Sequence, residues 1–281
     1  MSIQWFPGHM AKAKRLISEN LALIDVVLET IDARAPFSSS NDDLLKIFNN
    51  KTCVKIMTKS DLASPDATNK WLNSYKSKNI PAFAVDSLHR NGLDEIKSFL
   101  KLEHEKISLE LAKKGRRPRA LRILVAGIPN AGKSSLINAL VKKDVAKTAD
   151  VPGFTRGQQW IRVAKDIELL DTPGIMPPKF DSEEEGKTLA AIGCIKAEVF
   201  SEEDVAFWLI KKINDIIPDA IAEKYNLVNE EQLDILEIIA KKIGAINKGN
   251  IPDLSKAARN VLKEFQSGKL GRITLELPKE E

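Results

Sequence analysis

Short apolar segments alternate with longer amphipathic segments through the first 170 residues of the chain. The apolar segments predict β-strands at residues 26–31, 53–57, 82–85, 122–126, 160–163 and 167–170. The amphipathic segments predict helices at residues 9–23, 41–49, 67–78, 93–112 and 133–140. Strands that are apolar throughout are typical of a parallel sheet covered on both faces. The alternation therefore predicts a doubly wound, mainly parallel six-stranded α/β sheet, whose last two strands form an antiparallel hairpin because only three residues separate them.

A second pattern begins near residue 180, shortly after Pro177 and Pro178. From there the periodicity is helical only, and it predicts helices at residues 183–198, 203–226, 230–246 and 254–266. We therefore predict two domains, an α/β domain at residues 1–178 and a smaller all-α domain at residues 179–281.

Composition narrows the class of protein. The chain has 281 residues, of which 43% are hydrophobic, and this excludes a disordered chain. Its two cysteines, Cys53 and Cys194, are too few for a disulfide scaffold or a tetrahedral zinc site. The apolar run at residues 21–28 is too short to span a bilayer, and the first ten residues lack the pattern of a signal peptide. We expect a cytoplasmic protein with no membrane partner.

The formal net charge of +4 hides blocks of opposite sign. Residues 1–180 contain 29 basic and 19 acidic side chains, a net charge of +10, and the rest of the chain carries −6. Within that rest, residues 182–240 carry −9 and residues 247–272 carry +4. A basic block is either an ordinary solvated surface or a contact for nucleic-acid phosphate.

The clearest chemical motif is a G-x-x-x-x-G-K-S sequence at residues 127–134, between a predicted strand and a predicted helix. Glycines in such a loop let backbone N–H groups turn toward a phosphate, and the helix N-terminus adds positive potential. We predict that the Lys133 ammonium reaches the β- and γ-phosphates and that the Ser134 hydroxyl binds Mg²⁺. The other predicted nucleotide contacts of this loop are Asn130, Ala131, Gly132 and Ser135.

A second motif, D-x-x-G, begins at Asp171, directly after the last predicted strand. At a strand end 37 residues after Ser134, Asp171 can hold the hydration shell of Mg²⁺, and the Gly174 N–H can meet a γ-phosphate. The turn-rich loop between the two motifs contains Thr155. We predict that Thr155 ligates Mg²⁺ when the γ-phosphate is present.

The group that reads the base decides between ATP and GTP. An Asp carboxylate reads guanine by accepting hydrogen bonds from N1–H and N2–H₂, a pair of donors that adenine lacks. The usual pattern is Asn-Lys-x-Asp after an apolar strand. Residues 247–250 begin with Asn and Lys but lack the Asp, and they follow a predicted helix.

A better base reader precedes the phosphate loop. Lys59, Ser60 and Asp61 follow the strand predicted at residues 53–57, with Thr58 in place of the usual Asn. Asp86 and Ser87 follow the next strand and suit backbone contact with the base. We predict all six residues from these two strand ends as GTP contacts, with guanine specificity resting on Asp61.

The order of these motifs resembles that of the circularly permuted GTPases, and most closely the YlqF/RbgA family of ribosome-biogenesis GTPases. The resemblance covers essentially the whole chain and includes further segments at residues 5–10, 32–36, 152–155 and 267–273. A sheet can be threaded in another order where the natural termini lie close together. The basic segment at residues 113–122 would then be the new joint.

The resemblance implies a circularly permuted P-loop GTPase domain followed by a helical RNA-binding domain. It also implies hydrolysis of GTP to GDP with Mg²⁺, and a role in late assembly of the large ribosomal subunit. The implied partners are the precursor of that subunit and its rRNA, and we expect a monomer. The predicted RNA contacts are the cations of the C-terminal basic block, Lys248, Lys256, Arg259, Lys263, Lys269 and Arg272.

The predicted catalytic set is His9, Lys133 and Thr155. In many GTPases a Gln after the D-x-x-G glycine orients the attacking water, but here that residue is Ile175, which cannot form a hydrogen bond. We therefore expect slow intrinsic hydrolysis, stimulated by the ribosomal partner, with His9 as the candidate that orients water. The alternative for His9 is an ordinary histidine at a helix start or on the surface.

Asn130 is also a candidate ligand for K⁺, because the phosphate loop resembles that of potassium-activated GTPases. A monovalent cation there would supply the positive charge that an arginine finger supplies elsewhere. The alternative is an Asn that bonds its own backbone.

Three other functions stay open at this point. The chain could be an RNA-binding assembly protein that binds GTP without significant hydrolysis, or a nucleotide-independent RNA-binding protein with a vestigial site. The vestigial site is opposed by four intact residues, Lys133, Ser134, Asp171 and Asp61. The third alternative is a P-loop ATPase or kinase, in which ATP would compete with GTP.

Overall fold

A six-stranded sheet forms the centre of the first part of the chain. The computed structural model describes residues 19–41, 46–48, 51–141, 160–171, 182–227 and 234–279. The strands are β1 (Val26–Asp32), β2 (Thr52–Thr58), β3 (Ala82–Val85), β4 (Leu121–Gly127), β5 (Trp160–Ala164) and β6 (Ile167–Asp171). Their order is β3-β2-β1-β4-β6-β5, and neighbouring strands are parallel except for β5 and β6. The predicted mainly parallel sheet and its antiparallel hairpin are confirmed.

Helices cover both faces of this sheet. Trp71 and Tyr75 of α1 (Pro65–Ser77) pack on Ile31 and Met57 on one face. On the opposite face, α2 (Leu93–Lys113) and α3 (Lys133–Leu140) pack on the alternate residues of the same strands. The side chains buried there include Leu93, Ile96, Leu100, Leu136 and Ile137 of the helices and Val26, Leu28, Val54 and Ile56 of the strands.

The parallel strands bring their carboxyl ends to one edge of the sheet. Asp32, at the end of β1, lies opposite Thr58, at the end of β2. Val125 of β4 lies opposite Asp171, at the end of β6. In open α/β sheets ligands bind outside the carboxyl ends of the strands. The predicted base-reading and phosphate motifs therefore lie at the edge where such a site is expected.

The second part of the chain is mainly helical. It contains α4 (Glu183–Ala191), α5 (Glu202–Ile216), α6 (Ala220–Tyr225), α7 (Ile235–Lys242) and α8 (Leu254–Gln266). Four of these helices begin at a side chain that accepts a hydrogen bond from a backbone N–H of the first turn, namely Ser182, Ser201, Asp234 and Asp253. The apolar stripe of α8 is buried against α5, α7 and other residues of this part.

The first two helices predicted in the second part of the chain are interrupted. The helix predicted at residues 183–198 ends at Ala191, and Gly193 follows with a positive φ of 80°. The helix predicted at residues 203–226 is divided into α5 and α6 at Pro218. Proline disfavours the helical conformation of the residue before it, and Ile217 is accordingly extended.

A small hairpin corrects the prediction of an all-α second domain. β7 (Ile246–Asn247) and β8 (Ile251–Pro252) form an antiparallel pair. The helix predicted at residues 230–246 ends at Lys242, because Gly244 adopts a positive φ of 68°. The Asn-Lys sequence at residues 247–250 therefore belongs to this hairpin and its turn, not to the end of a helix.

Some predicted features lie outside the described residues. They include most of the helices predicted at residues 9–23 and 41–49, and the domain boundary at residues 178–179. Leu21–Leu23, at the end of the first of these helices, form a 3₁₀ turn instead. Among the helices that the structure does describe, none is long and apolar enough to cross a bilayer.

The sheet and the helical part share one apolar cluster. Ala35, Ile128 and Ala131, from loops at the carboxyl edge of the sheet, are buried with side chains of α4, α5, α7 and α8. Ile273 and Leu275, which follow α8, belong to the same cluster. The helical part therefore packs directly on the loops that carry the phosphate motif.

A buried ion pair lies at this junction. The Arg34 Nη2 is 2.8 Å from the Asp32 Oδ2, and the two side chains are 1% and 0% exposed. Arg34 also donates to the carbonyls of Ile192 at 3.2 Å, Gln266 at 3.3 Å and Phe265 at 3.5 Å. These carbonyls lie at the C-terminal ends of α4 and α8, so Arg34 binds both helix ends to the sheet.

Replacing Arg34 should therefore destabilise the whole chain. An Arg34→Met variant leaves Asp32 buried without its main partner and leaves three carbonyls without their donor. We expect the free energy of unfolding in urea to fall by about 3–5 kcal/mol. A Lys212→Met variant is the control, because it removes an exposed ion pair with Glu184 and should change stability little. A loss below about 1 kcal/mol for Arg34→Met would contradict the role of the pair.

Candidate nucleotide-binding site

The phosphate loop connects β4 to α3 through backbone conformations that favour glycine. Gly127 has a φ of 148°, and a Cβ atom there would lie 2.5 Å from the Thr30 carbonyl oxygen. Asn130 and Gly132 have positive φ values of 59° and 82°. Such left-handed turns direct successive backbone N–H groups into a concave anion site. Lys133, which begins α3, is buried and donates its Nζ proton to the Ile128 carbonyl at 2.8 Å.

Thr58 joins the base-reading segment to the phosphate loop. Its Oγ1 lies 2.8 Å from the Ala131 carbonyl and 3.0 Å from the Ile31 carbonyl, and the residue is 1% exposed. A Cβ atom at Gly132 would lie 3.0 Å from the Thr58 side chain, so the loop needs glycine at that point. Thr58 thus holds the main chain of the phosphate loop through the Ala131 carbonyl. Its direct contact with a base stays a prediction.

Lys59 makes a second bridge between the same segments. Its Nζ donates to the Asp32 Oδ2 at 2.9 Å and to the Asn130 carbonyl at 2.9 Å. Burial alone would raise the pKa of Asp32, but Arg34 and Lys59 hold it well below its usual value. The ionised Asp32 therefore holds two cations, one from each adjoining loop.

The predicted base-contacting residues lie close together beyond this bridge. Ligand atoms of Asp61, Asp86 and His89 all lie within 4.8 Å of one another. The Ser60 N–H donates to the Val85 carbonyl at 3.2 Å, which fixes the two strand ends together. Within the described part of the chain, the Ser87 Oγ is a buried hydroxyl without a hydrogen-bond partner. The structure thus brings together the two strand ends that the sequence assigned to the base.

Asp86 has a structural role in its own loop. Its Oδ1 accepts hydrogen bonds from the N–H groups of Leu88 at 3.0 Å and His89 at 3.1 Å. The His89 Nδ1 lies 2.6 Å from the Asp86 Oδ2. Burial raises the pKa of Asp86, but the hydrogen bonds from His89 and Leu88 outweigh that effect and leave the pKa below its usual value. The carboxylate is therefore occupied by the turn.

Asn130 contacts the helical part. Its Nδ2 donates to the Gly193 carbonyl at 2.8 Å, just after the end of α4. The phosphate loop is therefore linked to α4 by a side chain that the sequence suggested either for a cation or for its own backbone.

The remaining predicted site residues are described only in part, or lie outside the described residues. His9, Thr155 and Gly174 lie outside the described residues. Asp171 is the last residue of β6, and its backbone is adjacent to β4. Ser134 and Ser135 are exposed in the first turn of α3.

The predicted RNA contacts all lie in the C-terminal part and are exposed. Lys256, Arg259 and Lys263 follow one face of α8 by their spacing of three and four residues. Arg259 also lies 3.4 Å from the Glu202 carboxylate. Arg272 differs from the rest, because its guanidinium donates to the carbonyls of Ser60 and Ala63, on either side of Asp61.

Sequence reasoning assigned no role at the site to Asp32, Arg34 or His89. Asp32 and Arg34 lie in residues 32–36, a segment that resembles the corresponding segment of a known family. That resemblance assigned no role to either residue. No signal in the sequence pointed to His89, since its contact follows from the turn that Asp86 builds.

The Thr58 hydroxyl can be tested without a change of shape. In a Thr58→Val variant the buried Ala131 carbonyl loses its donor, so the phosphate loop should hold nucleotide less firmly. We expect the Kd for a fluorescent GTP analogue to rise about 5- to 30-fold, which corresponds to about 1–2 kcal/mol. Thr58→Ser, which keeps the hydroxyl, is the control and should stay within about threefold of the parent. Equal Kd values for the Val and Ser variants would contradict the bridge.

Comparison with known proteins assigns the chain to a family. Residues 122–248 match the family described as 50S ribosome-binding GTPase. Ribosome biogenesis GTPase A of Bacillus cereus is 42% identical over an alignment that covers 100% of this chain and 95% of the relative. The Thermotoga maritima protein of the same name is 30% identical, with 99% and 95% covered.

Solved structures agree with this assignment. The crystal structure of GNP-bound YlqF from T. maritima matches with a TM-score of 0.65 and 26% identity, covering 96% of this chain and 100% of that chain. The GDP-bound form of that protein matches with the same TM-score, at 25% identity and 95% coverage of this chain. The predicted resemblance, the P-loop GTPase fold and the GTPase activity are thereby confirmed, and the chain belongs to the ribosome biogenesis GTPase A (YlqF/RbgA) family.

Proposed function

We propose that this chain is a Mg²⁺-dependent GTPase that binds rRNA in the precursor of the large ribosomal subunit and acts as a GTP-controlled switch in late assembly. The observation that supports a nucleotide site is that the side chains of Thr58 and Lys59 both bond to the main chain of the phosphate loop. Because the bridge holds the two loops side by side, one guanine nucleotide can contact both. The name of the B. cereus relative, ribosome biogenesis GTPase A, supports the ribosomal role.

For Mg²⁺ we propose Ser134 and Thr155 as ligands and Asp171 as the holder of its hydration shell. Ser134 is exposed in the first turn of α3, and Asp171 ends the strand beside β4. Hydroxyl and carboxylate oxygens are the hard donors that Mg²⁺ prefers. When bound, the ion would neutralise charge that develops on the β- and γ-phosphate oxygens. Lys133, one residue before Ser134, would add a second positive charge there.

For RNA we propose the exposed cationic face of α8. Lys256 and Lys263 extend from the side of the helix opposite its buried stripe, and Lys248 lies in the nearby hairpin turn. The acidic block at residues 182–240 would repel phosphate, so it should face away from RNA. Phosphate contacts of this kind weaken steeply as the salt concentration rises.

For the switch we propose that the contact between Asn130 and α4 transmits the nucleotide state. Asn130 is part of the phosphate loop, and its side chain reaches the Gly193 carbonyl. A shift of this loop on loss of the γ-phosphate would thus act directly on α4. The helical part, which carries the proposed RNA face, would be reoriented as a result.

Co-sedimentation with precursor large subunits tests the proposed function. We expect more protein to sediment with a non-hydrolysable GTP analogue than with GDP or without nucleotide. A Lys256→Glu/Lys263→Glu variant should sediment less, because it reverses two charges of the proposed RNA face. The matched control is Lys70→Glu/Lys76→Glu, which reverses two exposed lysines of α1. Equal sedimentation in all three nucleotide states would contradict the switch, and failure to sediment in any state would contradict the partner.

The proposed K⁺ ligand can be tested by exchange of the cation. The hydrogen bond from the Asn130 Nδ2 to Gly193 leaves the side-chain oxygen as a ligand for a cation near the transferring phosphate. We expect GTP hydrolysis at least about fivefold faster in K⁺ than in Na⁺ at matched ionic strength. The difference should disappear in an Asn130→Ala variant. Equal rates in K⁺ and Na⁺ for the parent would contradict this role, and His9, the proposed water-orienting group, would then act without the cation.

A further inference from the structure

The segment that follows α8 lies along the base-reading loop. The Ile273 N–H donates to the Leu62 carbonyl at 3.2 Å, and the Thr274 Oγ1 accepts from the Ser64 N–H at 3.1 Å. Ile273 and Thr274 are 1% and 4% exposed. The tail is therefore part of the packed structure and supports the loop along its length.

Arg272 makes the most specific of these contacts. Its Nη2 donates to the Ser60 carbonyl at 2.9 Å, and its Nε donates to the Ala63 carbonyl at 3.0 Å. Asp61, the predicted guanine reader, lies between these two carbonyls in the sequence. The planar guanidinium thus spans the short turn that carries the Asp61 carboxylate.

The same turn is fixed from its other side. The Ser60 N–H donates to the Val85 carbonyl at the end of β3. The peptide groups on either side of Ser60 are therefore held by β3 in one direction and by Arg272 in the other. Without Arg272, the Ser60 and Ala63 carbonyls, on either side of Asp61, lose this donor.

We propose that Arg272 is a positioning residue for guanine recognition, which makes selection of the base dependent on the C-terminal tail. The proposal rests on the proposed function, because it takes Asp61 as the group that accepts hydrogen bonds from the guanine edge. Selectivity requires the carboxylate to be held where both donors reach it. The role of Arg272 is then in the discrimination between bases, and its contact with RNA is the competing interpretation.

The test compares GDP with IDP, whose base lacks the exocyclic 2-amino donor. Affinities of both nucleotides are measured for the full chain and for its Arg272→Ala and Arg272→Lys variants. We expect the parent to prefer GDP, and the ratio of the two Kd values to fall at least threefold in both variants. Lys keeps the charge, but it lacks the planar guanidinium whose Nη2 and Nε each donate to one of the two carbonyls. Arg117→Ala, which removes another exposed arginine, is the control and should keep the parent ratio.

The outcomes separate this inference from the proposed function. A parent that shows no preference for GDP would overturn the proposed role of Asp61, and this inference with it. A parent that prefers GDP, with the same ratio in Arg272→Ala, would overturn this inference alone. If the role of Arg272 were purely structural, its replacement would weaken the binding of GDP and IDP by the same factor, and the ratio of their Kd values would not change. If Arg272→Ala does not fold, the ratio of the two Kd values in Arg272→Lys decides the test. A ratio equal to that of the parent would overturn the role of the planar guanidinium.

Discussion

The buried ion pair of Asp32 and Arg34 is the constraint on which the rest of the structure depends. Two charges removed from water are tolerated only where every polar atom is matched. The Asp32 carboxylate accepts from Arg34 and Lys59, and Arg34 donates its remaining protons to carbonyls of Ile192, Phe265 and Gln266. Helix C-termini carry unsatisfied carbonyls and a partial negative charge, so they suit a buried guanidinium. The buried polar groups of the sheet and of the helical part therefore satisfy each other's hydrogen bonds.

This constraint extends to the nucleotide site through short contacts. Lys59 reaches from Asp32 to the phosphate loop, and Asn130 reaches from that loop to the end of α4. Each segment of the site is thus fixed by a neighbour that is also fixed to the helical part. The contact of Lys59 with Asp32 is partly buried, whereas the contacts of Lys59 with Asn130 and of Asn130 with Gly193 are exposed. A displacement of one loop would therefore disturb its contacts with the neighbouring segments.

Local patterns in the sequence predicted the sheet, its hairpin and the phosphate loop, because periodicity and motif spacing depend on neighbouring residues. The break at Pro218 and the turn at Gly244 also had local signals, which a continuous helical periodicity outweighed. The contacts of Arg34 had none, because its carbonyl partners lie 158 to 232 residues away. Charge alone placed Arg272 among the predicted RNA contacts. Charge does not reveal whether the partner of an arginine is a phosphate or a carbonyl of the same chain.

The permuted order gives the tail its importance. The loop that carries Asp61 lies early in the chain, yet its support comes from residues more than 200 positions later, as the contact of Arg272 with Ser60 shows. The entropy of closing so long a loop must be offset by contacts elsewhere, and the shared apolar cluster with Ile273 and Leu275 supplies them. The loop that carries Asp61 is thus fully supported only when α8 and the residues that follow it have packed.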